Sequence, residues 1–202
     1  MSETPALIVF ARVPRAGQVK TRLAASIGVT AALQVYRDLL ESTLQRTRGS
    51  RAPIRLLYIE GEDLDGHCAE LARRFGMRLE RQVGADLGQR MANALEDQLR
   101  DARLPVLIGC DLPVIDATYL DAAFDALASH DAVFAPAEDG GYGLVGVRRM
   151  IPELFFDQPW GSSQVMARAR QSLRGAAASW CELDEVWDVD EVCDLERWLD
   201  SR

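Results

Sequence analysis

The sequence predicts an α/β domain built on a doubly wound, mostly parallel β-sheet, and three observations carry that prediction. Runs such as LIVFA near the start and VLIG near the middle are continuously apolar rather than alternating, as strands covered on both faces are. Stretches with apolar residues at helical spacing lie between those runs, and the connections are short, which is the pattern of repeated βαβ units. Finally, 202 residues with no Pro/Gly/Ser-rich linker, repeat or low-complexity tract fit a single domain spanning 1–202.

In chain order, Ala6–Ala11, Ile54–Glu60, Pro105–Cys110 and Asp131–Pro136 read as strands, with Tyr142–Val147 and Ser179–Leu183 as two more. Ala31–Arg46 carries Leu33, Tyr36, Leu40 and Leu44 at helical spacing. Leu64–Phe75, Leu87–Leu99, Tyr119–Ala128, Gln164–Leu173 and Val192–Leu199 read as further helices, and Asp116 or Thr118 caps the fourth. The first apolar run has no basic stretch before it, and Arg12 and Arg15 follow it, an order that suits a strand and not a signal peptide. No apolar run approaches the ~20 residues of a membrane span, so the expected setting is the cytoplasm.

Composition removes several function classes. Net charge is −8, with a pI near 4.9, which argues against nucleic acid as a partner. Cys68, Cys110, Cys181 and Cys193 are scattered without a CxxC pair, so reduced cysteines are expected rather than disulfides or zinc. Only His67 and His130 are present, and no GxSxG elbow accompanies them, so a Ser-His-Asp hydrolase lacks its parts. Trp180, Trp187 and Trp198 are expected to pack the last helix, with a homo-oligomer interface as the alternative. Charge is unevenly spread. Thr4 through Arg37 contains no acid, whereas Cys181 to Asp200 is densely acidic. Such a division suits a site where phosphates meet a divalent cation, and equally two solvated faces of opposite sign.

Ligands of open α/β sheets bind beyond the carboxyl ends of the strands, which directs attention to four segments. After the first strand, Arg12–Leu23 (RVPRAGQVKTRL) is neither a Walker A nor a GxGxxG loop. It has phosphate-binding character all the same: Gly17 permits close backbone approach, and Arg12, Arg15, Lys20 and Arg22 are cations. Lys20 is the chain's single lysine, which suggests a need for a compact point charge there, with a chance survivor on a solvated turn as the alternative. Gly109–Pro113 (GCDLP) ends a strand expected to be central. An Asp at that edge is costly unless paired or bound to a cation, so Asp111 is the foremost metal ligand, with capping of a turn as the alternative. In Ala137–Gly143 (AEDGGYG), Asp139 is placed to accept bonds from hydroxyls and Tyr142 to pack on a ring, although Asp-Gly-Gly is also an ordinary turn. Asp188 and Asp190, two apart on an extended stretch, present one face to a cation; Asp190 serves equally as an N-cap.

Taken together, Phe10-Ala11-Arg12, GQVKTRLA, GCDLP, AEDGGYGLVG, Gln158-Pro159-Trp160-Gly161-Ser162 and Asp188-Val189-Asp190 resemble the bacterial selenodomain-associated transferases. These are glycosyltransferase-like members of the nucleotide-diphospho-sugar transferase superfamily. The resemblance spans nearly the whole chain and implies a Rossmann-like GT-A fold, three layers around the sheet. It further implies that Arg12, Gly17, Lys20 and Arg22 face the nucleotide and its phosphates. Asp111 would be the metal aspartate, with Asp188 or Asp190 beside it. Asp139, Gly140, Gly141, Tyr142, Trp160 and Gly161 would line the sugar or acceptor side. The expected activity is glycosyl transfer from a nucleotide-sugar to a small-molecule acceptor with Mg²⁺ or Mn²⁺, in which Asp111, Asp139 and Lys20 act at the reacting centre. The alternatives are nucleotidyl transfer from a nucleoside triphosphate with release of pyrophosphate, and a nucleotide-binding module without turnover.

Overall fold

The computed structural model describes residues 4–100 and 103–201. Strand β1 (Thr4–Arg12) is followed by helices α1 (Thr21–Ile27) and α2 (Val29–Arg46), β2 (Ile54–Glu60), α3 (His67–Arg74) and β3 (Arg78–Arg81). Then come α4 (Leu87–Leu99), β4 (Arg103–Ile108), α5 (Ala117–Ser129) and the hairpin β5 (Ala132–Pro136) and β6 (Tyr142–Val147). A 3₁₀ turn (Pro152–Leu154), α6 (Val165–Gly175), β7 (Trp180–Glu182) and α7 (Val192–Asp200) complete the chain.

The sheet has the order β3-β2-β1-β4-β6-β5-β7, and every neighbouring pair is parallel except those made by β6. Its apolar residues divide by parity. Leu7, Val9 and Ala11 of β1 pack with α2, α3 and α5 on one face. Ile8 and Phe10 pack with α4 and α6 on the other. Covering both faces makes three layers and explains the unbroken apolar runs. A satellite core of Leu39, Trp187, Val189 and Trp198 fastens α7 to α2. Among the described residues no helix is long and apolar enough to cross a membrane.

Two elements were not foreseen. Helix α1 buries only Leu23 and has neither an acidic first turn nor a side-chain cap, so it lacks both periodicity and a start signal. Strand β3 (RLER) sits at the sheet edge, where charge blunts pairing with other chains and hides the strand pattern. The reversal of β6 follows from its connection: residues 137–141 are far too few for a parallel crossover, which takes about a dozen or more. Asp116, not Thr118, caps α5, accepting from the Tyr119 N–H.

The described cysteines are free thiols. Cys68 and Cys110 are pushed up to about 12, first by burial and then by the negative charges of Asp63 and Asp111. Cys193 lies on the surface. Since the thiolate is the nucleophile, iodoacetamide at pH 8 is expected to label Cys193 and spare Cys68 and Cys110 until the protein is unfolded. Peptide mass spectrometry reads the outcome.

Candidate functional site

The chain lays down β1, β2 and β3 outward, then returns to place β4 on the other side of β1. This is the topological switch point, where open α/β sheets leave a crevice at their carboxyl ends. The loop after β1 and the Gly109–Asp111 segment after β4 meet there. Lys20 Nζ donates to Asp111 Oδ2 at 2.6 Å and lies 3.6 Å from Asp190 Oδ1. The Lys20 side chain is only 5% exposed. Burial opposes its charge, but Asp111 and Asp190 outweigh that and hold its pKa above the ordinary value. Lys20 also has φ 46° and ψ 50°, a left-handed conformation that costs a non-glycine residue about 1–3 kcal/mol and persists only where its surroundings enforce it.

Helix α2 fixes both sides of this junction. The Tyr36 hydroxyl accepts from the Arg12 N–H at 2.8 Å and donates to the Arg12 carbonyl at 3.0 Å. The Cys110 thiol donates to the same hydroxyl at 3.3 Å, and Thr43 Oγ1 donates to the Cys110 carbonyl at 2.9 Å. Buried backbone groups left unpaired cost about 1–3 kcal/mol. Tyr36→Phe is therefore expected to lower stability by about that much, with denaturant titration as the check, although no catalytic group is removed.

The third contribution arrives along the extended segment after β7. The Val189 N–H donates to the Asp111 carbonyl at 3.2 Å, and the Val186 N–H to the Pro136 carbonyl at 2.8 Å, so this segment is stitched to both neighbouring strand ends. Asp188 faces the pocket described below, and its carboxyl is pushed up to about 6 by burial first and Asp111 second. Asp190 faces cations instead: its Oδ2 accepts from Arg22 Nη1 at 3.0 Å. It is not the N-cap of α7. Glu191 is, in a reciprocal capping box with Asp194.

Between β4, the β5–β6 hairpin and the 158–165 segment lies a pocket of about 250 Å³, with Asp111, Asp139 and Asp188 among its lining residues. One wall is aromatic: Tyr142 meets Trp160 edge-on at 6.2 Å and Phe134 at 5.2 Å. The Tyr142 hydroxyl is buried with no partner among the described residues. A second recess of about 340 Å³ opens on the other side of Asp111, between Arg12, Glu60, Gln82 and Arg90. Glu60 is gripped there by Arg12 Nε at 3.0 Å and Arg90 Nη1 at 2.5 Å.

Most of the residues expected at the site converge on these two recesses. Arg12, Lys20, Asp111 and Asp188 surround the junction, while Asp139, Gly141, Tyr142, Trp160 and Gly161 line the pocket. Two play other parts, and Asp139 has a second part besides lining the pocket. Gly140 backs onto Ser163 instead of lining the pocket: at φ 87°, a Cβ there would come within 2.3 Å of the Ser163 carbonyl. Gly17 turns an exposed loop with φ 75° and open space around it. One oxygen of Asp139 is committed to its own turn, accepting from the Gly141 N–H at 2.8 Å. Tyr36, Glu60, Gln82 and Arg90 went unnoticed. The signal for Glu60 was available, since a charged residue closes the apolar strand IRLLYIE just as Asp111 follows VLIG. Tyr36 was masked by its apolar position on α2.

A family described as an uncharacterized protein conserved in bacteria (DUF2064) matches residues 43–162. The 3-phospho-D-glycerate guanylyltransferase of Phenylobacterium zucineum (strain HLK1) is 40% identical over 97 residues. That match covers 48% of this chain and 41% of the relative, less than half the relative's length. Among solved structures, a candidate nucleotide-diphospho-sugar transferase from Desulfovibrio desulfuricans G20 is 30% identical with a TM-score of 0.87, covering 96% of this chain and 85% of that one. The glucosyl-3-phosphoglycerate synthase of Mycobacterium tuberculosis, solved with Mn²⁺, uridine diphosphate and glucosyl-3-phosphoglycerate, shares the fold. It has a TM-score of 0.57 and 11% identity, over 97% of this chain and 75% of that one. The fold of this chain is thus the α/β fold of the nucleotide-diphospho-sugar transferases.

Proposed function

The chain belongs to the bacterial DUF2064 family, and we propose that it is a transferase that takes a nucleotide-activated donor and moves a glycosyl group to a small acceptor. One observation carries this reading most directly. The Lys20–Asp111 contact bridges the switch point, with a recess on either side of it. The recess at Arg12, Glu60, Gln82 and Arg90 takes the nucleoside. The pocket at Tyr142 and Trp160, at about 250 Å³ slightly below the ~300–1,000 Å³ of drug-sized sites, suits one sugar ring and its acceptor. The resemblance of the motifs to the selenodomain-associated transferases supports the same assignment.

The carboxylates of Asp111 and Asp188 are hard oxygen donors of the kind Mg²⁺ and Mn²⁺ take together with phosphate oxygens. Among the described residues no group of three such side chains is already arranged around a metal position. Burial and the neighbouring charge of Asp111 crowd negative charge at Asp188, a condition that a cation relieves. When bound, such an ion supplies Lewis-acid stabilisation of a diphosphate leaving group. The chain's own residues supply the rest. Lys20, held in a buried position, offers a preorganised positive charge to developing phosphate charge, where exclusion of water makes it most effective. Arg12 and Arg22 widen that positive region. Asp139, with one oxygen committed to its turn, turns the other to an acceptor hydroxyl. Tyr142 and Trp160 supply an apolar wall that keeps water out.

The second reading is nucleotidyl transfer, favoured by the identity to the guanylyltransferase of Phenylobacterium zucineum. The released product separates the two. Release of a nucleoside diphosphate from a nucleotide-sugar in the presence of Mn²⁺ is the expected result. Pyrophosphate released from a nucleoside triphosphate, with no reaction of any nucleotide-sugar, would establish the rival instead.

A further inference from the structure

Among the described residues, the walls of the 250 Å³ pocket carry three carboxylates, Asp111, Asp139 and Asp188, and no lysine, arginine or histidine. Lys20 does not line the pocket, is paired with Asp111 and Asp190, and serves the donor's phosphates in the reading above. Arg22 is paired with Asp190, and Arg12 and Arg90 with Glu60 on the opposite side of the junction. The rest of the surface is mostly apolar or aromatic, with Phe10, Leu107, Val145 and Trp160 among it, and Ser162 adds one hydroxyl. A phosphate or carboxylate moved from water into such a place loses its hydration and gains no charge-assisted partner from these walls, while Asp139 and the donor's own diphosphate face it with like charge. A divalent cation at Asp111 does not reverse this, because the donor's diphosphate takes up that charge.

From these walls we infer that the acceptor is an uncharged polyhydroxy compound with an apolar face, and that phosphorylated or carboxylated acceptors are excluded. The inference rests on the reading of the site given above and specifies its substrate class. It sets this chain apart from the Phenylobacterium zucineum relative, whose named substrate, 3-phospho-D-glycerate, bears both a phosphate and a carboxylate. A hydroxyl acceptor meets Asp139 as hydrogen-bond acceptor, and its carbon face lies on the aromatic wall.

The test uses matched pairs of acceptors that differ by one phosphate: glycerol against glycerol 3-phosphate, and glucose against glucose 6-phosphate. Binding to protein loaded with Mn²⁺ and nucleoside diphosphate is followed by thermal unfolding, and transfer is followed with the donor that reacts. The expected result is at least tenfold stronger binding or faster transfer with the neutral member of a pair. Leu87 lies on the rim and is 43% exposed, so Leu87→Lys adds a cation without disturbing the core. That variant is expected to raise binding of the phosphorylated member severalfold relative to the neutral member of the same pair. Equal or stronger binding of the phosphorylated member to the unaltered protein, or binding of neither, overturns the inference. If no nucleotide shifts the unfolding temperature at all, it is the reading of the site that fails. Nucleotide binding together with a preference for phosphorylated acceptors would leave that reading intact and remove only the present inference.

Discussion

Asp111→Asn is expected to lower kcat/KM by on the order of a thousandfold or more while leaving the fold intact. The substitution keeps the side chain's shape but removes a carboxylate on which three other parts of the site depend. Lys20 loses the negative charge of its 2.6 Å partner, Asp188 its charged neighbour, and the proposed cation an anionic oxygen donor. Charge stabilisation of a leaving group by a metal is worth several kcal/mol, and every ~1.4 kcal/mol is a factor of ten in rate. Stability should change far less. The Lys20 ammonium retains Asp190 at 3.6 Å, and the neutral amide still accepts a hydrogen bond. Thermal unfolding with a nucleoside diphosphate and Mn²⁺ supplies the companion readout. A ligand at ~100 times its dissociation constant adds about 2.7 kcal/mol in the unaltered protein, worth roughly 5–10 °C in a domain of this size. The metal-dependent part of that shift should vanish in the variant. A variant with undiminished turnover would remove Asp111 from the reaction.

Gly88→Ala is the second large effect, and it acts through packing. Gly88 is buried at the start of α4, and a Cβ built there would stand 1.9 Å from the Phe155 carbonyl oxygen and 2.9 Å from Trp160 Nε1. The nearest obstacle is backbone, so no rotamer change relieves it. Overpacking of this kind costs about 1–3 kcal/mol, and more where the backbone must move. A loss of about 3 kcal/mol or more is expected, lowering Tm by roughly 6–12 °C. Trp160 must shift with the Phe155 segment, so transfer should fall by about a hundredfold even below the new Tm, the scale of a 1 Å misplacement near a reacting centre. Gly175→Ala is the control. It meets open space at the end of α6, and alanine is favoured over glycine in a helix by up to ~1 kcal/mol, so Tm should hold or rise. Equal Tm values for the two variants would mean that a side chain at position 88 does not press on the Phe155 carbonyl.

How much of this was legible in the sequence can be judged element by element. Ile54–Glu60, Tyr142–Val147 and Leu87–Leu99 coincide with the observed β2, β6 and α4 residue for residue, because each combines an apolar pattern with a clear stop. The pattern failed where burial is one-sided or slight, as in β3 at the edge and in the seven-residue α1. Residues that the structure brings together at the candidate site were legible where chemistry sits against the grain of its surroundings: an acid at the end of a buried strand (Asp111), the one lysine in an arginine-rich chain (Lys20), and Asp188 before the last helix, although Asp190 beside it turns to Arg22 instead. The partners were not. Nothing local in the sequence sends Asp190 to Arg22 across 168 positions, or makes the Tyr36 hydroxyl a meeting point for Arg12 and Cys110. Such pairings are products of the crossover, and the same holds for Gly140, whose demand for a missing side chain comes from Ser163 in another loop.

Because β6 runs against its neighbours, the acid that follows one strand and the ring that begins the next are separated only by Gly140 and Gly141. A single short hairpin therefore supplies a charged and an aromatic face of the pocket, while the β1–β4 half of the sheet carries the Lys20–Asp111 junction and the Glu60 recess. The two halves can change at different rates. On the proposed reading, exchanging residues 137–143 alone would rewrite one side of the molecule's selectivity without reopening the other, which makes this hairpin a natural graft point for redirecting the enzyme and the first place to look when close relatives differ in what they modify.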